Sequence, residues 1–168
     1  MDLNELKGKR IVHSAVVVLY EQLSDSLILT KRSDQLRAHP GEICFPGGSW
    51  EEGDENYYAT ALRELQEELG IDSDRVTLIK ELNAQRTLLG SIIHPWYASV
   101  ESVQPYQLNQ QEVVRLISIP MTLVQDAKNY KDYIFDREGR RYVTCEFTAN
   151  EDWVWGATAH IMKQLVLK

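Results

Sequence analysis

The sequence is poor in features that mark specialised classes of protein. Its 168 residues include only two cysteines, Cys44 and Cys145, which are too few for a disulfide scaffold and lack metal-binding spacing. We expect both to be reduced, buried thiols. The longest apolar run, 15–20, is too short to span a membrane, and Met1–Glu5 lacks the basic and apolar character of a secretory signal. The sequence therefore predicts a cytoplasmic protein without a membrane partner.

Positive charge is also scarce. Eighteen lysines and arginines stand against 25 aspartates and glutamates, which gives a net charge of −7. Such a surface repels phosphates at long range and argues against a nucleic-acid partner, although a local basic cluster could bind a small anionic ligand. We find no repeat, low-complexity tract or linker, and the length predicts one domain spanning 1–168.

Short β-branched runs alternate with turn residues and predict a chain rich in strands. The predicted strands are 15–20, 27–30, 76–80, 92–100 and 113–119, and 43–45 is a short apolar piece before the glycine pair. A hairpin is expected where 136–139 separates 134–135 from 142–147. Helices are predicted at 55–69 and 157–167. Strands with two interspersed helices favour an α/β (α+β) fold, in which a mixed sheet packs against helices.

The helix predicted at 55–69 carries two side-chain groups. Asp54 is the expected N-cap and Gly70 the expected left-handed C-cap. One predicted apolar stripe consists of Tyr58, Leu62, Leu65 and Leu69. Glu64, Glu67 and Glu68 fall within roughly a 100° arc of the helix. The helix therefore has a buried stripe beside a carboxylate cluster.

Like charges at this spacing repel, so something must offset them. Water and salt would suffice if the carboxylates lay on a solvated surface, but bound divalent cations would also serve, since Mg²⁺ prefers oxygen ligands and bridges carboxylates to phosphates. The surroundings favour cations. The glycine pair Gly47–Gly48 precedes the helix, and Arg32 and Arg37 lie upstream. Metals and arginines together suit a phosphate ester.

The same residues resemble the box of the Nudix hydrolases, G-x5-E-x7-R-E-U-x-E-E-x-G-U, where U is aliphatic. The matching positions are Glu55, Arg63, Glu64, Leu65, Glu67, Glu68, Gly70 and Ile71. The departure is at the front, where the glycine position falls on Ser49, so that Gly48 fits only with one extra loop residue.

A second pattern resembles the signature of the coenzyme A pyrophosphatase branch, L-L-T-x-R-S/A-x3-R-x3-G-x3-F-P-G-G. It is matched by 28–33, Arg37, Gly41 and 45–48, with Ile28 in place of the first leucine as the sole departure. The segment 154–159 is similar to a segment of the same proteins.

The resemblance implies a Nudix α/β/α sandwich and a hydrolase that uses Mg²⁺ or Mn²⁺. For this branch it implies cleavage of coenzyme A to 3′,5′-ADP and 4′-phosphopantetheine. Three rivals remain open: another Nudix substrate (ADP-ribose, a dinucleotide or a damaged nucleotide), a Nudix-fold binding or regulatory module without catalysis, or a solvated acidic helix. Either a monomer or a homodimer is compatible with the sequence.

The resemblance also implies roles for individual residues. Glu64 and Glu68 become metal ligands, Glu67 a ligand or the base that activates water, and Arg63 the ion-pair partner that anchors the helix. Gly48, with its neighbour Gly47, would approach the substrate and offer a carbonyl to a metal, while Arg32 and Arg37 would contact phosphates. Glu112 is the candidate for a metal-binding carboxylate outside the box, and an exposed loop acid is the alternative.

Other conspicuous residues have ordinary explanations. Each tryptophan, including Trp153 and Trp155, is expected to pack in the core or an interface rather than stack on adenine. The basic cluster of Arg137, Arg140 and Arg141 is expected to be a solvated turn.

Overall fold

The computed structural model describes residues 10–168, which form two sheets and three α-helices. The strands are β1 His13–Glu21, β2 Ser26–Arg32, β3 Ile43–Cys44, β4 Gly47–Ser49, β5 Thr77–Glu81, β6 Gln85–Arg86, β7 Ile92–Val100, β8 Val113–Pro120, β9 Tyr130–Arg137, β10 Arg140–Phe147 and β11 Val154–Trp155. The helices are α1 Tyr57–Leu69, α2 Met121–Val124 and α3 Gly156–Lys163. Single 3-10 turns occupy Ser73–Arg75 and Ala127–Asn129.

The larger sheet is mixed, as the sequence predicted. Its strands run in the order β3-β2-β1-β7-β5, with β4 paired to β1, β6 to β7 and β8 to β2. Strands β1 and β7 are parallel along nine residue pairs, whereas the other pairings are antiparallel. The predicted strand at 92–100 has the observed bounds of β7.

Alternating side chains of β1 build a core on each face of this sheet. Ala15, Val17 and Leu19 pack with the α1 residues Ala61, Leu65 and Leu69 in one core. Val18 faces the other core, where its neighbours include Ile161 and Met162 of α3. The sheet therefore lies between α1 and α3, which confirms the predicted sandwich.

The second sheet, β11-β10-β9, is separate from the first. Its β9–β10 hairpin was predicted, and the two-residue turn has φ of +51° at Glu138 and +74° at Gly139, as a type I′ turn requires. Cys145, Phe147 and Val154 bury one face of this sheet against α3. The sequence did not predict the separation, because the hairpin signal is local and does not reveal which strands lie beside it.

The start of α1 differs from the prediction. The helix begins at Tyr57, and its N-cap is Asn56, whose side chain accepts a hydrogen bond of 2.8 Å from the Ala59 amide. Asp54 is not the cap because its carboxylate binds Arg63 instead. The Gly70 C-cap is confirmed, with φ of +66° and its amide bonded to the Gln66 carbonyl.

The apolar stripe of α1 is also displaced. Leu65 and Leu69 are fully buried, but Tyr58 and Leu62 are only half-buried, and Ala61 and Thr60 occupy the buried side instead. The helix is rotated so that Glu68 faces inward, which a purely hydrophobic pattern does not predict.

The cysteines and the C-terminal helix differ in part from the sequence prediction. Cys145 is buried and Cys44 is partly exposed, and both are free thiols. Helix α3 ends at Lys163, four residues before the predicted end. No helix within residues 10–168 combines the length and the apolar character needed to cross a membrane.

Candidate active site

The C-terminal half of α1 and the turn before β8 bring three carboxylates together. One carboxylate oxygen from each of Glu64, Glu68 and Glu112 lies within 4.8 Å of the other two. The end of α1 positions the turn, since the Glu68 and Leu69 carbonyls accept hydrogen bonds of 2.9 Å from the Asn109 and Gln107 amides. These helix-terminal carbonyls have no partner within the helix, so a neighbouring segment satisfies them. Glu112 reaches the helix because this segment is tied to it.

Burial and mutual repulsion disfavour negative charge in this cluster. Glu68 is 5% exposed. Burial, reinforced by the neighbouring charges of Glu64 and Glu112, raises the pKa of Glu68 to about 8. Burial also raises the pKa of Glu64, against the opposing effect of Arg63. A divalent cation would stabilise the ionised carboxylates, and an all-oxygen donor set suits Mg²⁺ or Mn²⁺. The residues therefore fit such an ion.

Glu67 stands apart from the cluster. Its side chain is 48% exposed, and its carboxylate lies 3.4 Å from the Arg63 guanidinium. All three glutamates of α1 share one arc in the sequence, but the rotation of the helix buries Glu68 and leaves Glu67 at the surface. Glu112 takes the third place in the cluster.

Arg63 joins the loop before α1 to the carboxylates. Its guanidinium binds both carboxylate oxygens of Asp54, at 2.9 Å and 3.0 Å, and lies 2.9 Å from Glu64 Oε1. It also donates to the Ser49 carbonyl at 3.1 Å. These contacts fix the Glu64 carboxylate relative to β4.

Asp54 is a residue whose role the sequence analysis missed. Its carboxylate also accepts hydrogen bonds from the Thr60 hydroxyl and the Glu51 amide, at 2.9 Å and 3.0 Å. The bond from Arg63 contributes most to lowering the Asp54 pKa below its ordinary value. Glu55, which matches the family box, is exposed. Only the acidic character of the segment could have drawn attention to Asp54, because the box places its glutamate one residue later.

The glycine pair forms strand β4 rather than the expected loop. Gly48 pairs with Ala15 of β1, and a β-carbon at position 48 would lie 2.5 Å from the carboxyl carbon of Glu64. A β-carbon at Gly47 would lie 2.3 Å from the Ala15 carbonyl oxygen. Glycine is therefore needed at both positions for the close approach of β4 to β1 and to the carboxylate cluster.

The two upstream arginines lie at the same end of the sheet. The Arg32 guanidinium donates to the Ala38 carbonyl at 3.0 Å and 3.2 Å, and it is near enough for its charge to lower the Glu68 pKa, against the larger effect of burial. Arg37 is exposed on the loop that Ala38 belongs to. In the same loop, His39 pairs with Glu42 at 3.0 Å. One arginine thus lies within electrostatic range of Glu68, and the other lies on the adjoining loop.

Comparisons with known proteins identify the family of this chain. The sequence pattern of the NUDIX domain matches residues 10–137. The uncharacterized Nudix hydrolase NudL of Yersinia pestis is 31% identical over 140 residues, which cover 83% of this chain and 70% of that protein.

Two solved structures share the fold at lower identity. The Ap4A hydrolase of C. elegans, in a binary complex, has a TM-score of 0.56 and 20% identity, covering 65% of this chain and 80% of its own. The NUDIX domain of Shewanella oneidensis NrtR, complexed with ADP ribose, has a TM-score of 0.53 and 23% identity, covering 73% and 85%. With a family pattern that covers most of its length and a relative of this similarity, the chain belongs to the Nudix family.

Proposed function

We propose that the protein hydrolyses coenzyme A to 3′,5′-ADP and 4′-phosphopantetheine with the help of Mg²⁺ or Mn²⁺. Membership of the Nudix family makes it a pyrophosphatase. The observation that supports coenzyme A is that Arg32, which belongs to the upstream motif, is near enough to Glu68 for its charge to lower the Glu68 pKa. A substrate whose diphosphate lies at the carboxylates would meet this guanidinium.

The proposed metal site consists of Glu64, Glu68 and Glu112, with the Gly48 carbonyl as a further donor. A bound Mg²⁺ or Mn²⁺ would lower the pKa of a water molecule and neutralise charge on the diphosphate. Burial of Glu68 supports this assignment, because a carboxylate with a pKa of about 8 needs a cation to be ionised at neutral pH.

The chain's own residues would divide the remaining tasks. Arg63 holds Glu64 in place, while Arg32 and Arg37 would donate hydrogen bonds to phosphate oxygens, where negative charge increases as phosphorus is attacked. Glu67 would serve as a further ligand or as the base whose carboxylate accepts the proton of the attacking water.

The first prediction concerns the substrate. Incubation with coenzyme A, ADP-ribose or NADH, each with Mg²⁺ or Mn²⁺, should release 3′,5′-ADP from coenzyme A faster than the other two substrates are cleaved. Products are identified by chromatography and mass spectrometry. Faster cleavage of ADP-ribose would assign the protein to another Nudix substrate, and binding without cleavage of any compound would favour a non-catalytic module.

Two variants test the site, one as the probe and one as its control. Glu68→Gln should lower kcat at least about a hundredfold, because it removes a charged oxygen ligand while keeping the side-chain volume. Glu55→Gln should retain activity, because Glu55 is exposed. Unchanged turnover in folded Glu68→Gln protein would refute the site itself, separately from the choice of substrate.

A further inference from the structure

One face of the three-stranded sheet carries a continuous set of aromatic rings. We call it the aromatic face, and its members are Tyr133, Phe135, Tyr142, Trp153 and Trp155. Phe135 and Tyr142 are directly opposed in the hairpin and stack with their ring centroids 5.4 Å apart. Trp153 and Trp155 stack with their ring centroids 4.9 Å apart and their planes 7° apart, and Tyr133 and Trp153 pack edge to face with centroids 5.1 Å apart. These contacts form a single surface of rings across all three strands.

The aromatic face points away from the core. The alternate residues Cys145, Phe147 and Val154 supply the opposite face, and they are at most 3% exposed. Trp153 is 47% exposed, and the other four rings are half-buried, partly by one another. The sequence favoured packing in the core or in an interface for each tryptophan, and Trp153 does not lie in the core. An exposed group of aromatic side chains is typical of a binding surface.

Two arginines extend this face at the tip of the hairpin. Arg137 and Arg140 are directly opposed in the register, two pairs beyond Phe135 and Tyr142, so their side chains emerge on the aromatic face. Both are exposed. The neighbouring Arg141 lies on the other face, 3.5 Å from Asp136. Within residues 10–168, Arg137 and Arg140 form no such ion pair. Like charges directly opposed across a hairpin are destabilising, and a bound anion would relieve the repulsion.

From this juxtaposition we infer that the aromatic face binds a nucleotide, with its base on the rings and its phosphate between Arg137 and Arg140. Every nucleobase presents a π-surface that stacks on aromatic side chains, and arginine forks match phosphate oxygens. Successive residues on one face of a strand are about 7 Å apart, so rings and guanidiniums lie within reach of one nucleotide. This site is distinct from the carboxylate cluster and needs no metal.

Charge favours a free nucleotide over two other occupants. A nucleic-acid strand would meet a protein of net charge −7, which opposes a long polyanion. A second copy joined symmetrically through the same face would have to supply, from that face, the carboxylates that pair with Arg137 and Arg140. Glu146 is a carboxylate of the aromatic face, and it already accepts a hydrogen bond of 2.9 Å from Trp153 Nε1.

The test is a titration of the full chain with AMP in EDTA, followed by tryptophan fluorescence. AMP should bind and change the emission of Trp153 and Trp155. The double variant Arg137→Gln/Arg140→Gln should bind AMP at least about tenfold more weakly, since each guanidinium contributes to phosphate binding. Arg141→Gln is the matched control on the opposite face and should bind like the wild type. Adenosine and ribose 5-phosphate, each lacking half of the ligand, should bind at least about tenfold more weakly than AMP.

Other results would overturn the inference. Equal AMP binding by wild type and the double variant would remove the phosphate site, and no binding at millimolar AMP would remove the site altogether. Tighter binding of an oligoadenylate than of AMP, per nucleotide, would indicate a strand. A concentration-dependent dimer that Trp153→Ala abolishes, measured by sedimentation, would indicate a second copy. Glu68→Gln protein should bind AMP normally in EDTA. A failure of the proposed hydrolysis would therefore not affect the test of the AMP site.

Discussion

Glu68 is a carboxylate that folding places in an unfavourable environment. It is 5% exposed and lies beside Glu64 and Glu112, whose negative charges repel its own. Such a residue costs stability unless its charge is neutralised by a proton or a cation. The choice between these two partners depends on pH and on the metal concentration.

This reasoning predicts a pH dependence of stability in the metal-free protein. Folding raises the Glu68 pKa from 4.5 to about 8, so the folded state binds a proton that the unfolded chain releases within this range. The free energy of unfolding should therefore fall as pH rises from about 5 to about 8, by on the order of a few kcal/mol. Urea denaturation in EDTA at several pH values measures it.

The contribution of Glu68 is obtained by difference. Glu68→Gln, which cannot ionise, should lose most of this decline, whereas the exposed Glu55→Gln should behave like the wild type. Equal slopes for Glu68→Gln and wild type between pH 5 and pH 8 would contradict the raised pKa of Glu68.

Single residues of the cluster were predictable to different degrees. Glu64 and Glu68 follow from the spacing on one helix, because helical periodicity fixes their common side. Glu112 is distant in sequence and could only be selected as an acid near a strand. The separation of Glu67 was not predictable, because it depends on how far α1 is rotated against the sheet.

At the scale of elements, the loop 51–55, β4 and the first turns of α1 act as one unit. Arg63 bonds to Asp54 in the loop, to Ser49 at the end of β4 and to Glu64 on its own helix. Through Arg63, the position of the loop determines where the Glu64 carboxylate lies in the cluster. Asp54, with an 8% exposed side chain, is its buried anchor.

We therefore expect Asp54→Asn to impair catalysis, because Asp54 acts through Arg63 and not through contact with the substrate. The substitution removes the carboxylate that binds Arg63 through both of its oxygens, so kcat should fall about tenfold with little change in KM, and stability should fall by about 1–3 kcal/mol. Steady-state kinetics and urea denaturation measure the two effects.

The adjacent acid provides the comparison for this variant. Glu55→Gln removes the glutamate that matches the family box but is exposed, and it should change neither kcat nor stability by more than about 0.5 kcal/mol. The reverse result, with Glu55→Gln impaired and Asp54→Asn normal, would mean that the box residue anchors Arg63.

The elements themselves were predictable where one periodicity dominates. The run of 92–100 is mostly apolar, with His94 and Ser99 as its polar residues, as expected of a strand with neighbours on both sides, and its bounds were right. Strand β4 was not predicted, because glycines carry no strand signal and pair here only through close approach to β1. The start of α1 was misplaced because Asp54 competes as a cap in sequence but is engaged by Arg63 in space.

At the scale of the whole molecule, the large sheet has one hydrophobic core on each face, and β1 contributes side chains to both cores. Val17 and Leu19 of β1 belong to the core under α1, whereas Val18 belongs to the core under α3 and the small sheet. The sequence indicated a sheet between helices, but not which helix covers which face or that β9–β11 form a second sheet. Those features arise from long-range contacts that no local pattern contains.

This architecture yields a prediction that compares Leu65→Ala with Phe147→Ala. Leu65 is 0% exposed in the core under α1, and Phe147 is 1% exposed in the opposite core. The substitutions should lower the free energy of unfolding by about 2–5 and about 3–5 kcal/mol respectively. Each variant should still unfold in one transition, because β1 contributes to both cores.

At temperatures below that transition, only Leu65→Ala should lower kcat markedly, since Leu65 lies between Glu64 and Glu68 on α1. Thermal unfolding followed by near- and far-UV circular dichroism, together with kcat, tests both points. Two separate transitions, or an equal loss of kcat in both variants, would mean that the sheet does not divide the molecule in this way.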